Sequence, residues 1–174
     1  RANFFVKEGE KPEDDWSFRR SKWFKNVEQE CKNVKENVGL LDMSAFGKCR
    51  IKGPGAEEFL DKLVANKLPK KIGRINLCHA LNTKGGVHSE FTIMREAEDS
   101  FYLVSAGANQ RLDHDWVNKW MPKDGSVQFE NLTNSVGVLV ISGPKARELM
   151  SRVSKDDFSN DSFKWLSAKN RNVG

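Results

Sequence analysis

Glu90 is the residue with the clearest setting for chemistry. It lies in the run Val87-His88-Ser89-Glu90-Phe91-Thr92-Ile93, in which Val87, Ser89, Phe91 and Ile93 share one face of a strand. His88, Glu90 and Thr92 share the other. Asn82-Thr83-Lys84-Gly85-Gly86 before it has turn chemistry, because glycine tolerates positive φ. Residues 77–81 are a short apolar run. The pattern predicts a β-hairpin with Glu90 in the middle of its second strand. A carboxylate there belongs either to the solvated face of an antiparallel sheet or to a site as its acid or base. Pattern leaves both open.

Other residue types add weaker signals. The small turn Ser105-Ala106-Gly107 leaves room for a ligand to approach the backbone, or is an ordinary strand-to-helix connection. Phe46 could stack on a flat ring or fill a core. Cys31, Cys49 and Cys78 are odd in number and lack metal-ligand spacing. They are expected as buried, reduced thiols in a reducing compartment. His79, His88 and His114 form no H-x-x-x-H pattern, and no metal site is expected.

Composition excludes some classes. The chain has 174 residues, 30% charged and 38% hydrophobic, which fits one globular domain or two small interleaved ones. No apolar run approaches the roughly 20 residues that span a bilayer, and no signal-peptide pattern opens the chain. No membrane partner is expected. The net charge of +5 comes from 29 Lys and Arg against 24 Asp and Glu. These are scattered, with Lys67-Leu68-Pro69-Lys70-Lys71 the one basic knot, so a nucleic-acid partner is not expected. A modest positive field also suits a polyanionic ligand. Opening at Arg1 and stopping at Gly174, the chain reads as a piece of something longer.

Residues 1–15 form a polar lead-in with Glu13-Asp14-Asp15. In residues 16–24, Trp16, Phe18, Trp23 and Phe24 alternate with cations, predicting aromatic anchoring of the lead-in onto the domain; a base-stacking surface is the alternative. Val27, Cys31, Val34 and Val38 predict a helix stopped at Gly39. Residues 40–48 give a short strand and a turn. Ile51-Lys52-Gly53-Pro54 and Ile141-Ser142-Gly143-Pro144 open a repeated I-x-G-P-x-A pattern: a strand ends at Gly, Pro takes the first helical position, and an amphipathic helix follows. Between the repeats lie the hairpin, a strand over 100–105 and a helix over 109–120 with Leu112, Trp116 and Trp120 on one stripe. A strand over 127–130 and a buried strand over 136–142 come next. After Ser151 the chain turns polar, ending in a short amphipathic piece over 163–166. The layout predicts an α+β fold, with helices on one face of an antiparallel or mixed sheet.

Leu81-Asn82-Thr83-Lys84-Gly85-Gly86 through Ile93 resembles the L-N-x-x-G-G-x-x-x-D-x-x-V hairpin of the aminomethyltransferase family, the glycine-cleavage T-protein and its relatives. The resemblance implies that Glu90 points into a tetrahydrofolate pocket as its catalytic acid or base. T-proteins carry Asp there, so the carboxylate moves by about one bond length, ~1.5 Å. Residues 40–48 resemble the family's V-x-L-x-D-x-S-x-F-G-K segment, which implies that Phe46 lies against the pterin. The turn Ser105, Ala106 and Gly107 is implied to line the pterin end. Leu77 falls in the pocket lining where T-proteins often carry an aromatic.

Ser17-Phe18-Arg19-Arg20 through Phe24 resembles the segment joining flavin and folate domains in dimethylglycine dehydrogenases. The implied fold is α+β, a split ferredoxin-like α/β layer with an inserted antiparallel β-sheet region, the aminomethyltransferase folate-binding fold in part. Residues 1–26 would be a lead-in and 27–174 the N-terminal part of the folate-binding domain. The implied function is the folate region of a dimethylglycine or sarcosine dehydrogenase, in which a flavin (FAD) domain of the same chain oxidises an N-methyl amine to an iminium. Tetrahydrofolate then captures the one-carbon unit as 5,10-methylenetetrahydrofolate. The family's later S-x-x-G-Y-T-G-E segment and a G-x-G-x-x-G flavin fingerprint are missing, so this chain alone is expected to be inactive and to bind folate poorly. The alternatives are a non-catalytic folate-fold binding or assembly module, or a stand-alone aminomethyltransferase. The expected compartment is the cytoplasm in a bacterium and the mitochondrial matrix in a eukaryote.

Overall fold

The computed structural model describes residues 6–14 and 16–174; Asp15 and the first five residues of the expected lead-in lie outside the described residues. The elements are α1 (Phe24–Glu36), β1 (Gly39–Asp42), β2 (Gly47–Lys52), α2 (Ala56–Leu63), β3 (Ile75–Leu81), β4 (Val87–Ala97), β5 (Ser100–Ser105), α3 (Gln110–Trp120), β6 (Gln128–Asn131), β7 (Leu139–Ser142) and α4 (Ala146–Val153). One sheet has five strands in the order β3-β4-β5-β2-β6; the other pairs β1 with β7. Every strand pair is antiparallel. The α+β fold is therefore as expected.

The core lies between the five-stranded sheet and the helices α2 and α3. Helix α2 buries Ala56, Phe59, Leu60 and Leu63, a spacing that places all four on one stripe. They meet Phe91, Ile93, Phe101 and Leu103 from the sheet. Each large side chain buried in this way contributes roughly 1.5–3 kcal/mol. Glu57 and Glu58 in the first turn of α2 and Lys62 in the last also suit the helix dipole.

Arg95 sits at the edge of this core with 7% of its surface exposed. It donates to both carboxylate oxygens of Glu57 at 3.0 and 2.7 Å, and its guanidinium lies 5.0 Å from the Phe101 ring centroid. On the opposite face of the sheet, Arg50 donates to both oxygens of Glu96 at 2.5 and 3.1 Å and to Glu130 at 2.9 Å. Hydrogen bonds from Arg95 hold the Glu57 carboxyl below its usual value, and Arg50 does the same for Glu96. A carboxyl whose value is lowered by folding stabilises the fold above its unfolded value of about 4.3, and that stability is lost as pH falls through the lowered folded value. Urea midpoints measured downward from pH 6 are therefore expected to fall below about pH 4. The fall should be shallower in Arg50→Met.

Several expectations are corrected. Helix α1 starts at Phe24 and ends at Glu36, with Asn37 as its cap residue; Gly39 opens β1 instead of stopping the helix. Helix α1 buries no residue, and Cys31 on it is exposed. Cys49 is half-buried and Cys78 buried. In both repeated turns the proline precedes the helix instead of occupying its first position: α2 starts at Ala56 and α4 at Ala146. The reversal is made by Gly53 and Gly143, at φ 118° and 129°, and the following Ala N–H bonds back to the Gly carbonyl at 2.9 and 3.1 Å.

Strand β7 is shorter than expected and not buried, with Leu139 64% exposed, because it pairs with β1 alone. Helix α3 buries Asp113 and Val117, whereas Leu112 and Trp120 are each 49% exposed. The lead-in is not anchored through Trp16 and Phe18, which are almost fully exposed; within this stretch Arg20 lies over the Phe24 ring, 4.2 Å from its centroid.

Candidate functional site

The hairpin forms as expected, joined through Asn82, whose side-chain oxygen accepts from the Lys84 and Gly86 N–H groups at 2.9 and 3.1 Å. Its register contains a surprise. Leu81 pairs with Val87, but Ala80 pairs with Ser89, so a β-bulge lies between them and His88 is the extra residue. A bulge re-aims side chains locally. Val87 is 64% exposed, and His88 stacks on Trp116 of α3 with ring centroids 4.0 Å apart. Both depart from the alternation expected for 87–93. Beyond the bulge the alternation resumes, with Ser89, Phe91 and Ile93 buried and Glu90 and Thr92 exposed.

The bulge also sets the partner of Glu90, which is His79. His79 Nε2 lies 3.0 Å from Glu90 Oε2. Asn66, on the connection after α2, places its Oδ1 2.8 Å from the His79 backbone N and 3.2 Å from His79 Nδ1. The Glu90 side chain is 58% exposed and that of His79 32%. Leu77, two residues from His79 on β3, is 50% exposed and pairs with Thr92. Leu77, His79, Glu90 and Thr92 therefore share the face of the sheet opposite α2 and α3.

The other predicted residues lie at the end of β5: Phe46 and the 105–107 turn meet each other, while Ser105 faces α3 with Gln110 and Asp113, on the side of the sheet away from Glu90. Gly47 pairs with Ser105, and Phe46 sits in the turn just before it, its N–H on the Met43 carbonyl at 3.0 Å. A Cβ on Gly107 would collide with the Ala45 carbonyl oxygen and lie 3.7 Å from the Phe46 Cα. The Phe46 turn and the Ser105, Ala106, Gly107 turn are thus packed backbone to backbone, which only glycine permits. Val104 pairs with Thr92, and from there β5 runs toward the Glu90 end of β4.

The arrangement offers an exposed carboxylate in a partly apolar patch on an exposed sheet surface. It is not an enclosed pocket: a cavity of about 540 Å³ lies on the other side of the sheet, lined by Phe59, Leu63, Leu81, Trp116 and Trp120 among others, and by none of the predicted site residues. The cysteines supply no ready nucleophile there. Burial first, and then the Asp113 carboxylate, pushes the Cys49 thiol up to about 12. Among the described residues no group of three or more His, Cys, Asp or Glu is placed to hold a metal ion. No described helix is long and apolar enough to cross a membrane.

His79 and Asn66 are the residues the sequence reading missed. The signal for His79 was its cross-strand place in the hairpin, hidden by the unseen bulge.

Two antiparallel sheets, with helices packed on the larger, resemble the aminomethyltransferase T-protein fold. The glycine cleavage system aminomethyltransferase T from Bartonella henselae superposes with a TM-score of 0.66 at 26% identity, over 71% of this chain and 34% of that one. The family model of the GCVT N-terminal domain matches residues 1–174. The chain belongs to that family. It is 36% identical over 174 residues to mouse (Mus musculus) mitochondrial dimethylglycine dehydrogenase, covering 99% of this chain and 20% of that protein. It is 34% identical over 164 residues to the mouse mitochondrial pyruvate dehydrogenase phosphatase regulatory subunit, covering 93% of this chain and 19% of that protein. The chain therefore spans about a fifth of the length of these curated relatives.

Proposed function

We propose that the chain is the N-terminal part of the tetrahydrofolate-binding region of an N-methyl amine dehydrogenase, acting on dimethylglycine or sarcosine, with residues 1–26 as its lead-in and 27–174 as the start of the folate domain. In this reading FAD belongs to another domain of the same polypeptide. That domain oxidises the amine, and the folate region captures the one-carbon unit as 5,10-methylenetetrahydrofolate. A mitochondrial matrix or bacterial cytoplasmic setting follows from the same reading. The supporting observation is the sheet face opposite α2 and α3, where the exposed Glu90 carboxylate stands beside exposed Leu77.

These residues fit a folate. Leu77 and Phe46 supply apolar surface for a flat ring in this reading, and in the turn Ser105, Ala106 and Gly107 the exposed residue Ala106 is the part open to close approach, since Gly107 is packed against the Ala45 carbonyl. Glu90 Oε1 has no hydrogen-bond partner among the described residues, since the carboxylate meets His79 through Oε2. Tetrahydrofolate supplies the nitrogen nucleophile when bound. Glu90 orients that N–H and takes its proton at Oε1, and the apolar residues hold the ring in place, which lowers the entropic barrier to reaction.

The test uses the full-length polypeptide that carries these residues, given N-methyl-labelled dimethylglycine or sarcosine with tetrahydrofolate. The label is expected in 5,10-methylenetetrahydrofolate; label appearing only as free formaldehyde would contradict the reading. One observation favours a second reading, a non-catalytic binding or assembly module: a relative 34% identical over 164 residues is named as a regulatory subunit. That reading predicts amine-independent partner binding and no labelled folate. A stand-alone aminomethyltransferase would instead transfer the unit without amine oxidation.

A further inference from the structure

We propose that His79 is the positioning residue of Glu90, locked by Asn66 in the ring state that places one proton between His79 Nε2 and the Glu90 carboxylate. The proposal rests on the reading of Glu90 as the proton acceptor.

Donors and acceptors around the His79 ring fix its state. The His79 backbone N–H can only donate, and it meets Asn66 Oδ1 at 2.8 Å. That bond fixes which end of the Asn66 amide is oxygen, since its NH2 group there would set donor against donor. The same oxygen lies 3.2 Å from His79 Nδ1. An amide oxygen only accepts, so Nδ1 carries a hydrogen. A neutral imidazole has a single N–H, which leaves Nε2 bare. Yet Nε2 lies 3.0 Å from Glu90 Oε2, and an ionised carboxylate is also acceptor-only. Two lone pairs do not form a bond. The contact needs one proton, carried by the imidazole or by the carboxyl.

Two consequences follow for the site. Oε2 is engaged by the ring, so Oε1 is the oxygen left to meet a ligand. The pair together also carries one unit less negative charge than a bare carboxylate beside a neutral ring. The face therefore suits a ligand that presents an N–H donor, and holds it against one oxygen at a fixed angle. In the transfer step the ligand nitrogen adds to the iminium carbon of the oxidised amine, the C=N π pair passes to the amine nitrogen, and the ligand's N–H proton moves to Oε1. For Oε1 to accept, the proton between Nε2 and Oε2 must sit on the imidazole, because a carboxyl protonated at Oε2 takes no second proton; it stays there, so His79 acts only through Glu90.

The arrangement is tested directly by nitrogen NMR of imidazoles in the 15N-histidine-labelled full-length polypeptide, with the His79 signals assigned by their loss in His79→Gln. His79 is expected to show a protonated Nδ1, and in Glu90→Gln its Nε2 signal should move while that of His114 does not. A His79 ring with bare Nδ1 would overturn the proposal.

Kinetics separate its failure from that of the folate reading. In the full-length polypeptide, His79→Leu is expected to lower one-carbon transfer on the order of tenfold, with the folate KM changed less than about twofold. His79→Gln, whose amide N–H can still donate to Oε2, should recover most of the rate. Unchanged transfer in His79→Leu alongside loss in Glu90→Gln would overturn the His79 role and leave the folate reading standing. No transfer in the unmodified protein would remove the folate reading, and the imidazole signals would then decide the His79 arrangement by themselves.

Discussion

Glu90→Gln in the full-length polypeptide is expected to lower transfer of the one-carbon unit to tetrahydrofolate by about a hundredfold or more, the range of a lost general base. The substitution keeps the shape and removes the charge. Tetrahydrofolate affinity should change by a few-fold only, because Leu77 and the turns at Phe46 and Gly107 carry the ring contact in this account. Amine oxidation in the flavin domain should continue, releasing the unit as formaldehyde. Single-turnover assays with labelled substrate separate the two steps. A Glu90→Gln protein that transfers at the wild-type rate would take Glu90 out of the chemistry and reduce it to the solvated sheet face that pattern alone equally allows.

The largest stability effect is expected from Phe101→Ala, at about 3–5 kcal/mol. Phe101 is fully buried in β5, paired with Ile51 on one side and Arg95 on the other. Truncation leaves a cavity in a sheet whose partners are fixed by their ladders, so it cannot collapse cheaply. It also uncovers the face of the Arg95 guanidinium that now lies 5.0 Å from the ring centroid. Chemical denaturation would show this as a lowered midpoint with an unchanged slope. A loss below about 1 kcal/mol would mean that the core relaxes around the gap.

Much of the fold was legible because local chemistry and global layout agree. Asn82 and the paired glycines make the hairpin turn, period-2 alternation carries Ser89 to Ile93, and the repeated Gly-Pro segments each turn a strand into a helix. What was not legible depended on long-range partners. The apolar stripe of Leu112, Trp116 and Trp120 read as the buried face of α3, but the helix sets Asp113 and Val117 against the sheet and leaves the outer tryptophan at the rim. Residues 136–142 read as a buried strand because they are apolar, yet burial depends on neighbours, and β7 pairs with β1 alone.

The site divides in the same way. Glu90 stood out as an acid on an alternating strand, and Phe46, Leu77 and the 105–107 turn enter the proposed site through resemblance. The His79 contact was not visible. Counting back from Leu81 and Val87 without a bulge sets His79 against Ser89. A single extra residue at His88 moves the register by one and brings His79 opposite Glu90. Nothing in the run of residues announces that bulge; the stacking of His88 on Trp116, a contact with another element, accompanies it.

The measurement closest to the central claim is a calorimetric titration of tetrahydrofolate into the full-length polypeptide and into its Leu77→Arg variant. Leu77 is half exposed on the open face beside Glu90, so the arginine is tolerated by the fold and fills the proposed site. The account predicts binding by the unmodified protein and at least a tenfold loss in the variant, about 1.4 kcal/mol. Equal affinity in the two proteins, or no binding in either, would contradict it.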